Sequence, residues 1–365
     1  MAKGKKIICA VTNDLTYDQR MIRICTSLAE ANYEVLLVGR KRTKSKPLNQ
    51  KAFQQKRIYC FFEKGKFLYI EYNIRLFFFL LFQSFDVVNA TDLDTILPCL
   101  YASKLKRKAR VYDAHELFCE MEEIISRPSI YAIWKAIEKK AVPQFEFGYT
   151  IGSQYAAEFF RMYQRQYPVV RNATVLRPYE IKSHKEKYIL YQGAVNEGRC
   201  FEQLIPAMQH IHAKLIVCGD GNFFEQAIAM AKTYQVSDKI EFKGYVPPNQ
   251  LIEFTQNAYI GISIFSNTCQ SNYLSLANRF FDYMHSAVPQ LAMNFPEYAS
   301  INNEVEIAYL IDKPEPDYIV KGLQKLLSDV EYYLRLQQNC MVARKKYNWQ
   351  EQEKTLLSVY KKILE

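Results

Sequence analysis

The sequence has 365 residues, which excludes a single hydrophobic core of typical size and predicts two domains. Hydrophobic residues make up 49% of the chain and charged residues 24%, proportions that are typical of a globular protein. The formal net charge of +10 favours a polyanionic partner, and three classes fit: nucleic acid, acidic lipid head groups and phosphorylated substrates.

The nine cysteines are scattered, and no two of them form a Cys-x-x-Cys pair. Their odd number argues against a complete disulfide framework, and the ligand spacing of a structural zinc site is missing. We interpret them as free thiols in a reducing cytoplasm. No apolar run resembles a signal peptide or reaches the roughly 18 residues of a membrane-spanning helix, so we expect a cytoplasmic protein.

The chain opens with a strand–helix–strand pattern, with strands at residues 6–11 and 34–38 and a helix at residues 20–31. This order predicts a parallel sheet with a right-handed crossover. The Gly-x-Gly-x-x-Gly fingerprint of dinucleotide-binding domains is absent from the first strand–helix connection. Asn13 and Asp14 follow the first strand, where ligands collect in such sheets, but turn and helix-cap chemistry explains them equally well.

Residues 67–82 are apolar on nearly all sides, and Lys56, Arg57, Lys64 and Lys66 precede them. Two interpretations stay open. The segment is either a helix buried against the sheet, or a basic and aromatic-rich helix that docks on a membrane interface. Further along, His115 and Glu116 directly follow a strand at residues 109–112. Catalytic and ligand-binding residues of parallel sheets usually lie at such strand ends.

The strand–helix alternation restarts after a polar, charged stretch at residues 179–187, which we interpret as an interdomain linker. Strands at residues 188–191, 214–218, 240–242 and 260–264 predict a second doubly wound α/β domain. A helix then begins near Arg279. Its N-terminus and the Arg279 guanidinium suit a phosphate, and Asp282, one turn later, suits ribose hydroxyls.

The order of these motifs resembles the donor-binding half of the family-4, GT-B-fold, retaining glycosyltransferases. The residues that carry the resemblance are Gly193, Glu197-Gly198-Arg199, Gly219-Asp220-Gly221, Phe242-x-Gly244-Tyr245-Val246 and Asn278-Arg279-Phe280-Phe281-Asp282-Tyr283. The first half is similar to bacterial members of that group through Thr12-Asn13-Asp14, Asp18-Gln19-Arg20 and Tyr112-Asp113-Ala114-His115-Glu116.

The resemblance implies an α/β protein with two Rossmann-like, doubly wound parallel-sheet domains facing a cleft. Residues 1–178 would form the acceptor-side domain, residues 179–187 a hinge and residues 188–345 the nucleotide-sugar-binding domain. Residues 346–365 would form a C-terminal helix that packs back on the first domain.

The resemblance also implies roles for individual residues. Arg199 and Arg279 would cradle the donor diphosphate and stabilise the charge that develops as it leaves, without a metal or another cofactor. Asp282 would bind the ribose, and His115 would contact the donor sugar beside the reacting centre. Asn13, Asp14 and Glu116 would lie on the acceptor side. The other implied donor-binding residues are Gly193, Asn196, Glu197, Gly198, Gly219, Asp220, Gly221, Tyr245, Val246, Tyr273, Ser275 and Asn278.

Two departures from the family pattern affect the donor site. Ala194 replaces the usual Arg after the first strand of the second half, and Leu274 replaces a Glu that contacts the sugar in many members. Asn272, Tyr273 and Ser275 are the polar neighbours available for sugar contact.

We therefore expect a metal-independent, retaining, hexosyltransferase-like enzyme of polysaccharide or cell-envelope biosynthesis. It would transfer a sugar from a nucleotide-diphosphate-sugar donor to a glycan or lipid-linked acceptor, and residues 64–82 would seat it peripherally on the anionic inner membrane face. The alternative is a nucleotide-sugar epimerase of the same fold, which would turn over donor without an acceptor. Because no recognition-helix pattern accompanies the basic residues, we expect no nucleic acid partner.

Overall fold

The computed structural model describes residues 4–181 and 187–365. The chain divides into two compact units, Met1–Asn172 with Gln352–Glu365, and Ala173–Glu351. The division after Asn172 precedes the predicted hinge at residues 179–187, of which residues 182–186 lie outside the described residues. All nine cysteine side chains are buried free thiols.

The first unit is a six-stranded parallel sheet with the strand order β3-β2-β1-β4-β5-β6. Its strands are β1 Lys6–Ala10, β2 Glu34–Lys41, β3 Gln54–Tyr59, β4 Val87–Thr91, β5 Ala109–Ala114 and β6 Phe147–Thr150. Its α-helices are α1 Gln19–Glu30, α2 Gly65–Phe82, α3 Ile96–Lys106, α4 Glu122–Ile125, α5 Pro128–Ala141 and α6 Ser153–Tyr163. The strand order reverses between β1 and β4, and ligands bind at such a switch point.

The second unit repeats this plan with the strand order β12-β11-β10-β7-β8-β9. Its strands are β7 Tyr188–Gln192, β8 Lys214–Cys218, β9 Ile240–Gly244, β10 Ile260–Ser263, β11 Gln290–Met293 and β12 Ala308–Ile311. Its helices are α7 Phe201–Ala207, α8 Phe224–Thr233, α9 Pro248–Asn257, α10 Gln270–Leu274, α11 Asn278–His285, α12 Pro296–Glu304, α13 Pro316–Ser328 and α14 Val330–Lys346. The switch point lies between β7 and β10. Two parallel sheets with helical layers confirm the predicted fold class.

The last helix, α15 Trp349–Leu364, begins in the second unit, and residues Gln352–Glu365 belong to the first. The Asn89 amide in β4 donates a hydrogen bond of 2.8 Å to the Tyr360 hydroxyl of this helix. Tyr149 of β6 packs on the same ring, with 6.4 Å between ring centroids. The end of α15 is therefore part of the core of the first unit.

Strand β3 was not expected from the sequence, where residues 41–66 lack periodicity. Its segment Gln-Gln-Lys-Arg-Ile-Tyr is polar because β3 is an edge strand with no fully buried position. It pairs in parallel with β2 from Leu36↔Gln54 to Lys41↔Tyr59. An edge strand that is solvent-accessible on both faces lacks the apolar run by which a buried parallel strand is recognised.

Helix α2 buries one stripe of its apolar side chains and exposes another. Leu68, Tyr72, Leu76 and Leu80 recur every four residues and are buried. The Tyr72 hydroxyl donates to the Val11 carbonyl at 2.5 Å, which ties the helix to the end of β1. The other apolar side chains of α2 are half-buried or exposed, and the exposed ones are Phe67, Ile70, Ile74, Phe78 and Phe82. Nowhere in residues 4–181 or 187–365 does a helix have the length and apolar character needed to span a bilayer.

Candidate functional site

Helix α11 begins beside the β7–β10 switch point of the second unit. Phe280, Phe281 and Met284 recur at helical spacing and are buried, which fixes the orientation of the helix. Ala277 precedes the helix without a side-chain cap. The helix ends at His285, and Ala287 takes a left-handed conformation with φ of 48° before the chain enters β11.

Arg279, in the first turn of α11, is only 7% exposed. Its guanidinium carbon lies 4.4 Å from the Tyr191 ring centroid and 4.6 Å from the Phe265 ring centroid. Nη1 donates to the Gln192 carbonyl at 3.0 Å. The Nε and Nη2 atoms are buried and have no hydrogen-bond partner within the described part of the chain. A buried cation with two unpaired donors is costly unless an anion binds it, so Arg279 is a candidate anion ligand.

Arg199 contributes a second positive charge to the same place. Its guanidinium carbon lies 4.7 Å from the centroid of the Phe265 ring, the ring that Arg279 also contacts. The Gly198 carbonyl accepts a hydrogen bond of 2.9 Å from the Ser266 amide, which joins the loop after β7 to the segment after β10. Two like charges beside one ring repel each other, and an anion bound to both would remove that repulsion. The structure thus brings together the two predicted phosphate ligands.

Glycines allow the loops that follow β7, β8 and β9 to pack backbone against backbone. The Gly193 amide donates to the Cys218 carbonyl at 3.0 Å, and the Gly219 amide donates to the Gly244 carbonyl at 2.8 Å. A Cβ added to Gly219 would lie 1.7 Å from the Gly193 oxygen. Gly193 has φ of 125°, and a Cβ there would lie 3.0 Å from Arg279 Nη1.

We expect Gly219→Ala to destabilise the protein by about 3 kcal/mol or more, because the clash is with backbone that cannot rotate away. Gly244→Ala is the matched control at the same edge of the sheet. A Cβ at Gly244 meets nothing within 4 Å, so only its left-handed φ of 64° adds a cost of about 1 kcal/mol. Urea unfolding of both variants measures the difference, and equal losses would contradict this packing argument.

Most polar residues predicted in these loops maintain the loop structure. The Asn196 side-chain oxygen accepts from the Asn222 amide at 3.1 Å, and the Asn222 side chain accepts from the Glu197 amide at 3.1 Å. Asp220 accepts from the Gly221 amide at 2.7 Å through its side chain. These hydrogen bonds fix the backbone around the two arginines.

Asp282, the predicted ribose ligand, is half-buried and held on both sides. The Thr174 hydroxyl donates to Oδ1 at 2.6 Å, and Gln192 Nε2 donates to Oδ2 at 3.1 Å. The Thr255 hydroxyl donates to Gln192 Oε1 at 2.7 Å, which fixes the orientation of that amide. A carboxylate oxygen can accept more than one hydrogen bond, which is the chemistry that neighbouring hydroxyls of a ligand require.

Sequence reasoning missed Thr174, Gln192 and Thr255. The one signal was a glutamine at the end of the otherwise apolar strand Tyr188–Gln192, where it is buried. A buried amide needs partners, and Gln192 has Asp282 and Thr255.

The remaining predicted donor-side residues lie around the same edge of the second sheet. Tyr245, after β9, is exposed, and Val246 packs with the cluster that includes Leu190 and Tyr283. Tyr273 lies in α10 with its ring 5.1 Å from that of Phe295. The Ser275 hydroxyl donates to the Asn272 carbonyl at 3.0 Å, and Asn278 is exposed at the first position of α11.

Leu274 is a buried residue of α10. The one-turn helix Gln270–Leu274 directs this side chain into the protein. The position at which many members of the resembled family place a sugar-contacting carboxylate therefore contributes packing in this chain.

In the first unit, His115 follows β5 and is bound by Asp92 from the end of β4. The Asp92 Oδ1 atom accepts from the backbone amides of His115 and Glu116, both at 3.2 Å, and Oδ2 lies 2.8 Å from His115 Nδ1. Burial acts to lower the pKa of His115, but the Asp92 carboxylate outweighs burial and raises the pKa to about 10. His115 is therefore an imidazolium at neutral pH.

Asp92 stands at the N-terminus of the short helix Leu93–Thr95 but makes no side-chain cap there. Its φ of 54° with ψ of 179° is a strained backbone conformation for a residue other than glycine. The strain places its carboxylate against His115, so Asp92 is a site residue that sequence reasoning did not identify.

A second carboxylate, Asp94, lies near this pair. Burial, followed by the nearby Asp92 charge, raises the pKa of Asp94 to about 7. The Thr12 hydroxyl, after β1, donates to Asp94. Thr12 and Asp94 thus connect the two strands that flank the switch point of the first sheet.

Asn13 and Asp14 perform the turn chemistry that was their alternative interpretation. The Asn13 side chain accepts from the Leu15 amide at 3.0 Å, and the Asp14 side chain accepts from the Thr16 amide at 3.0 Å. Asp18 caps α1 by accepting from the Met21 amide at 2.9 Å. Among residues 4–181 and 187–365, no group of three or more His, Cys, Asp or Glu side chains is arranged to hold a metal ion.

The comparisons with known proteins agree with this geometry. Residues 174–341 match the family described as Glycosyl transferases group 1. Three solved structures illustrate the likeness of the whole chain. Sucrose-phosphate synthase from Thermosynechococcus elongatus superposes with a TM-score of 0.83 at 14% identity, covering 99% of each chain. Anabaena Alr3699/HepE in complex with UDP-glucose superposes with a TM-score of 0.76 at 10% identity, covering 98% of this chain and 99% of the other.

WaaG, a glycosyltransferase involved in lipopolysaccharide biosynthesis, gives a TM-score of 0.68 at 14% identity, covering 97% of this chain and 99% of the other. A search of curated proteins finds no match. The structural likenesses confirm the predicted GT-B fold, and the family match places the glycosyltransferase signature in the unit that contains Arg199, Arg279 and Asp282.

Proposed function

We propose that the protein is a retaining glycosyltransferase that uses a nucleotide-diphosphate-sugar donor without a metal and transfers to a glycan or lipid-linked acceptor. The observation that carries the proposal is the buried Arg279 guanidinium, held between Tyr191 and Phe265 with two donors unpaired and with Arg199 on the same ring. The family match to residues 174–341 supports glycosyl transfer as the reaction.

The two arginines suit a diphosphate leaving group. Negative charge grows on the phosphate oxygens as the bond to the sugar breaks, and preorganised guanidinium groups stabilise that charge most in the transition state. The surrounding aromatic rings lower the local dielectric, which strengthens the attraction. Two fixed cations would thereby supply the charge stabilisation that a divalent metal can provide, and this is the basis for proposing metal independence.

Asp282 and the glycine loops would bind the rest of the donor. The Asp282 carboxylate, fixed by Thr174 and Gln192, would accept from ribose hydroxyls. The missing side chain at Gly193, where a Cβ would lie 3.0 Å from Arg279 Nη1, would leave room for the phosphates beside the guanidinium. UDP-glucose in the complex of the structurally similar Anabaena protein supports a nucleotide-sugar as the donor class.

His115 is proposed to act on the donor sugar. As an imidazolium it donates a hydrogen bond and adds positive charge, so it would stabilise oxygen atoms that become more negative during transfer. Asp92 is a positioning residue because it sets the orientation and the charge of His115.

Thermal unfolding with nucleotides tests the donor class. We expect UDP, GDP or ADP and the matching nucleotide-sugar to raise Tm, because a ligand that binds only the folded state adds about 2.7 kcal/mol at roughly 100 times its Kd. The corresponding nucleoside should have no such effect. The shift and the transfer rate should both persist in excess EDTA. A strict need for Mg²⁺, or no response to any diphosphate, would refute the proposed site.

Donor incubated alone separates the alternative, a nucleotide-sugar epimerase. An epimerase would convert the donor sugar in the absence of any acceptor, whereas a transferase would show at most slow hydrolysis. Chromatography of the sugar products distinguishes the two activities.

A further inference from the structure

Helix α2 has an exposed apolar stripe opposite the one that it buries. Phe67, Ile70, Ile74, Phe78 and Phe82 are each more than half exposed, and Phe82 is 84% exposed. They follow one another at intervals of three and four residues, so they lie along one side of the helix. Tyr101 and Leu105 of the neighbouring helix α3 are also exposed. Contiguous apolar surface of this kind marks an interaction site.

Two further aromatic rings are held outward at the start of this stripe. Phe61 is 72% exposed, and Phe62 is also exposed. The Glu71 carboxylate on α2 accepts the backbone amides of both, at 2.9 Å for Phe61 and 3.0 Å for Phe62. The Arg75 guanidinium carbon lies 5.0 Å from the Phe61 ring centroid and its Nε donates to Glu71 at 2.8 Å.

The loop is therefore fixed by a charged pair while it presents two phenyl rings to solvent. In a loop without such constraints, the two phenyl rings would be expected to pack against the protein and away from water. Preorganised, exposed rings lose little conformational freedom when they bind, which favours insertion into an apolar phase.

The charges around this surface select its partner. Lys64 and Lys66 are exposed beside Phe67, and the Lys66 ammonium lies 5.3 Å from the Phe67 ring centroid. Lys104 is exposed between Tyr101 and Leu105 on α3. The one exposed acid of the loop, Glu63, accepts a hydrogen bond of 2.7 Å from the Thr43 amide.

We propose that the surface formed by Phe61, Phe62 and the stripe Phe67, Ile70, Ile74, Phe78 and Phe82 binds an anionic lipid bilayer. Apolar side chains would enter the boundary between head groups and acyl chains, and the lysines would contact acidic head groups. A second copy of the chain fits less well, because two such surfaces face to face would bring like charges together. The helix would lie in the plane of the interface.

Vesicle sedimentation of the full chain, without donor, tests this proposal. We expect binding to vesicles that contain phosphatidylglycerol to exceed binding to pure phosphatidylcholine by about tenfold or more, and to weaken as salt rises. The double variant Phe67→Ser/Phe78→Ser should lose about tenfold or more of that binding. Because both side chains are exposed, neither change leaves a cavity.

The matched control is Phe160→Ser/Leu334→Ser, which removes two exposed apolar side chains elsewhere and should bind as the natural sequence does. Lys64→Glu/Lys66→Glu should remove the preference for anionic vesicles. The proposal is overturned if the Phe67/Phe78 variant binds like the control, if both vesicle types bind equally, or if none binds. It is also overturned if light scattering shows that the natural sequence is a dimer and that the Phe67→Ser/Phe78→Ser variant is a monomer.

This inference does not depend on the donor site, although it would place the proposed transferase at the cytoplasmic face of a membrane, near a lipid-linked acceptor. The nucleotide-induced rise in Tm should be the same in the Phe67/Phe78 variant as in the natural sequence. If the natural sequence shows the nucleotide-induced rise in Tm but no vesicle binding, only this inference fails. If it binds vesicles but shows no rise in Tm with any nucleotide, only the proposed donor site fails.

Discussion

Replacing Arg279 with methionine is expected to lower kcat/KM for donor by about 10²–10³-fold, because it removes a preorganised cation from the developing diphosphate. Arg279→Lys should recover little, since an ammonium cannot stack on two rings while it presents a planar pair of donors. Folding should survive both changes. The guanidinium is buried with two unpaired donors, so removing it relieves a desolvation cost that offsets the lost ring contacts.

Arg335→Met is the matched control. Its guanidinium also lies over a tyrosine ring, at 5.2 Å from the Tyr332 centroid, but it is exposed and paired with Glu306 at 2.7 Å. Activity should be unchanged in this variant. Initial rates and nucleotide-induced Tm shifts, measured on all three variants, give the comparison. If Arg279→Met kept full activity and a normal nucleotide shift, the diphosphate would bind elsewhere.

Asp92→Asn is expected to change the pH dependence of the reaction. In the natural sequence the pKa of His115 is raised to about 10, so the imidazolium persists through neutral and mildly alkaline pH. Without the Asp92 charge, the main cause that raises the pKa of His115 is gone while burial still lowers it, so the pKa should fall well below 10. A fall to the ordinary value of about 6.5 would leave about 1% of the rings charged at about pH 8.5, and kcat/KM there should drop by up to about 100-fold.

Asparagine suits this test because it tolerates positive φ and still accepts the amide hydrogen bonds of His115 and Glu116. Activity should recover toward acidic pH, where His115 is protonated again. If the pH profile of the variant is the same as that of the natural sequence, Asp92 does not set the charge of His115. Other charged groups near His115 are Glu116 and Asp113, and Asp94 is affected by the His115 charge in turn. Their presence makes the full pH profile more informative than one rate.

The same ion pair contributes to stability with a definite sign. The folded pKa of His115 lies above the unfolded value, so its contribution is complete below about pH 6.5 and is lost as pH rises through about 10. Unfolding of Asp92→Asn should therefore differ most from that of the natural sequence on the acidic and neutral side.

The sequence predicted most of the sheet framework because buried parallel strands are continuous apolar runs. Strands such as Tyr188–Gln192 and Val87–Thr91 are buried at every position. Edge strand β3 was not predicted because its exposed faces carry Gln, Lys and Arg. An apolar helix such as α2 was ambiguous, since composition does not say which stripe meets the core and which meets solvent.

The arginines of the candidate site were predictable, but their surroundings were not. Arg279 and Asp282 lie in one local motif, whereas Tyr191 and Gln192 come from β7 and Phe265 from the segment after β10. Asp92 precedes His115 by 23 positions in the chain, and only the pairing of β4 with β5 brings their strand ends together. Contacts of this kind depend on tertiary register, which a single sequence read locally does not specify.

Gln192 connects the side chains that we propose for the phosphates and for the ribose. Its carbonyl accepts from Arg279 and its amide donates to Asp282. Tyr245 and Val246, where a base would be expected, take no part in that pair of hydrogen bonds. If the proposed donor site is correct, substitutions at Tyr245 and Val246 should change the preferred nucleotide base while the leaving-group chemistry stays intact. A library at Tyr245 and Val246 is accordingly a better source of new donor specificity than one centred on Gln192.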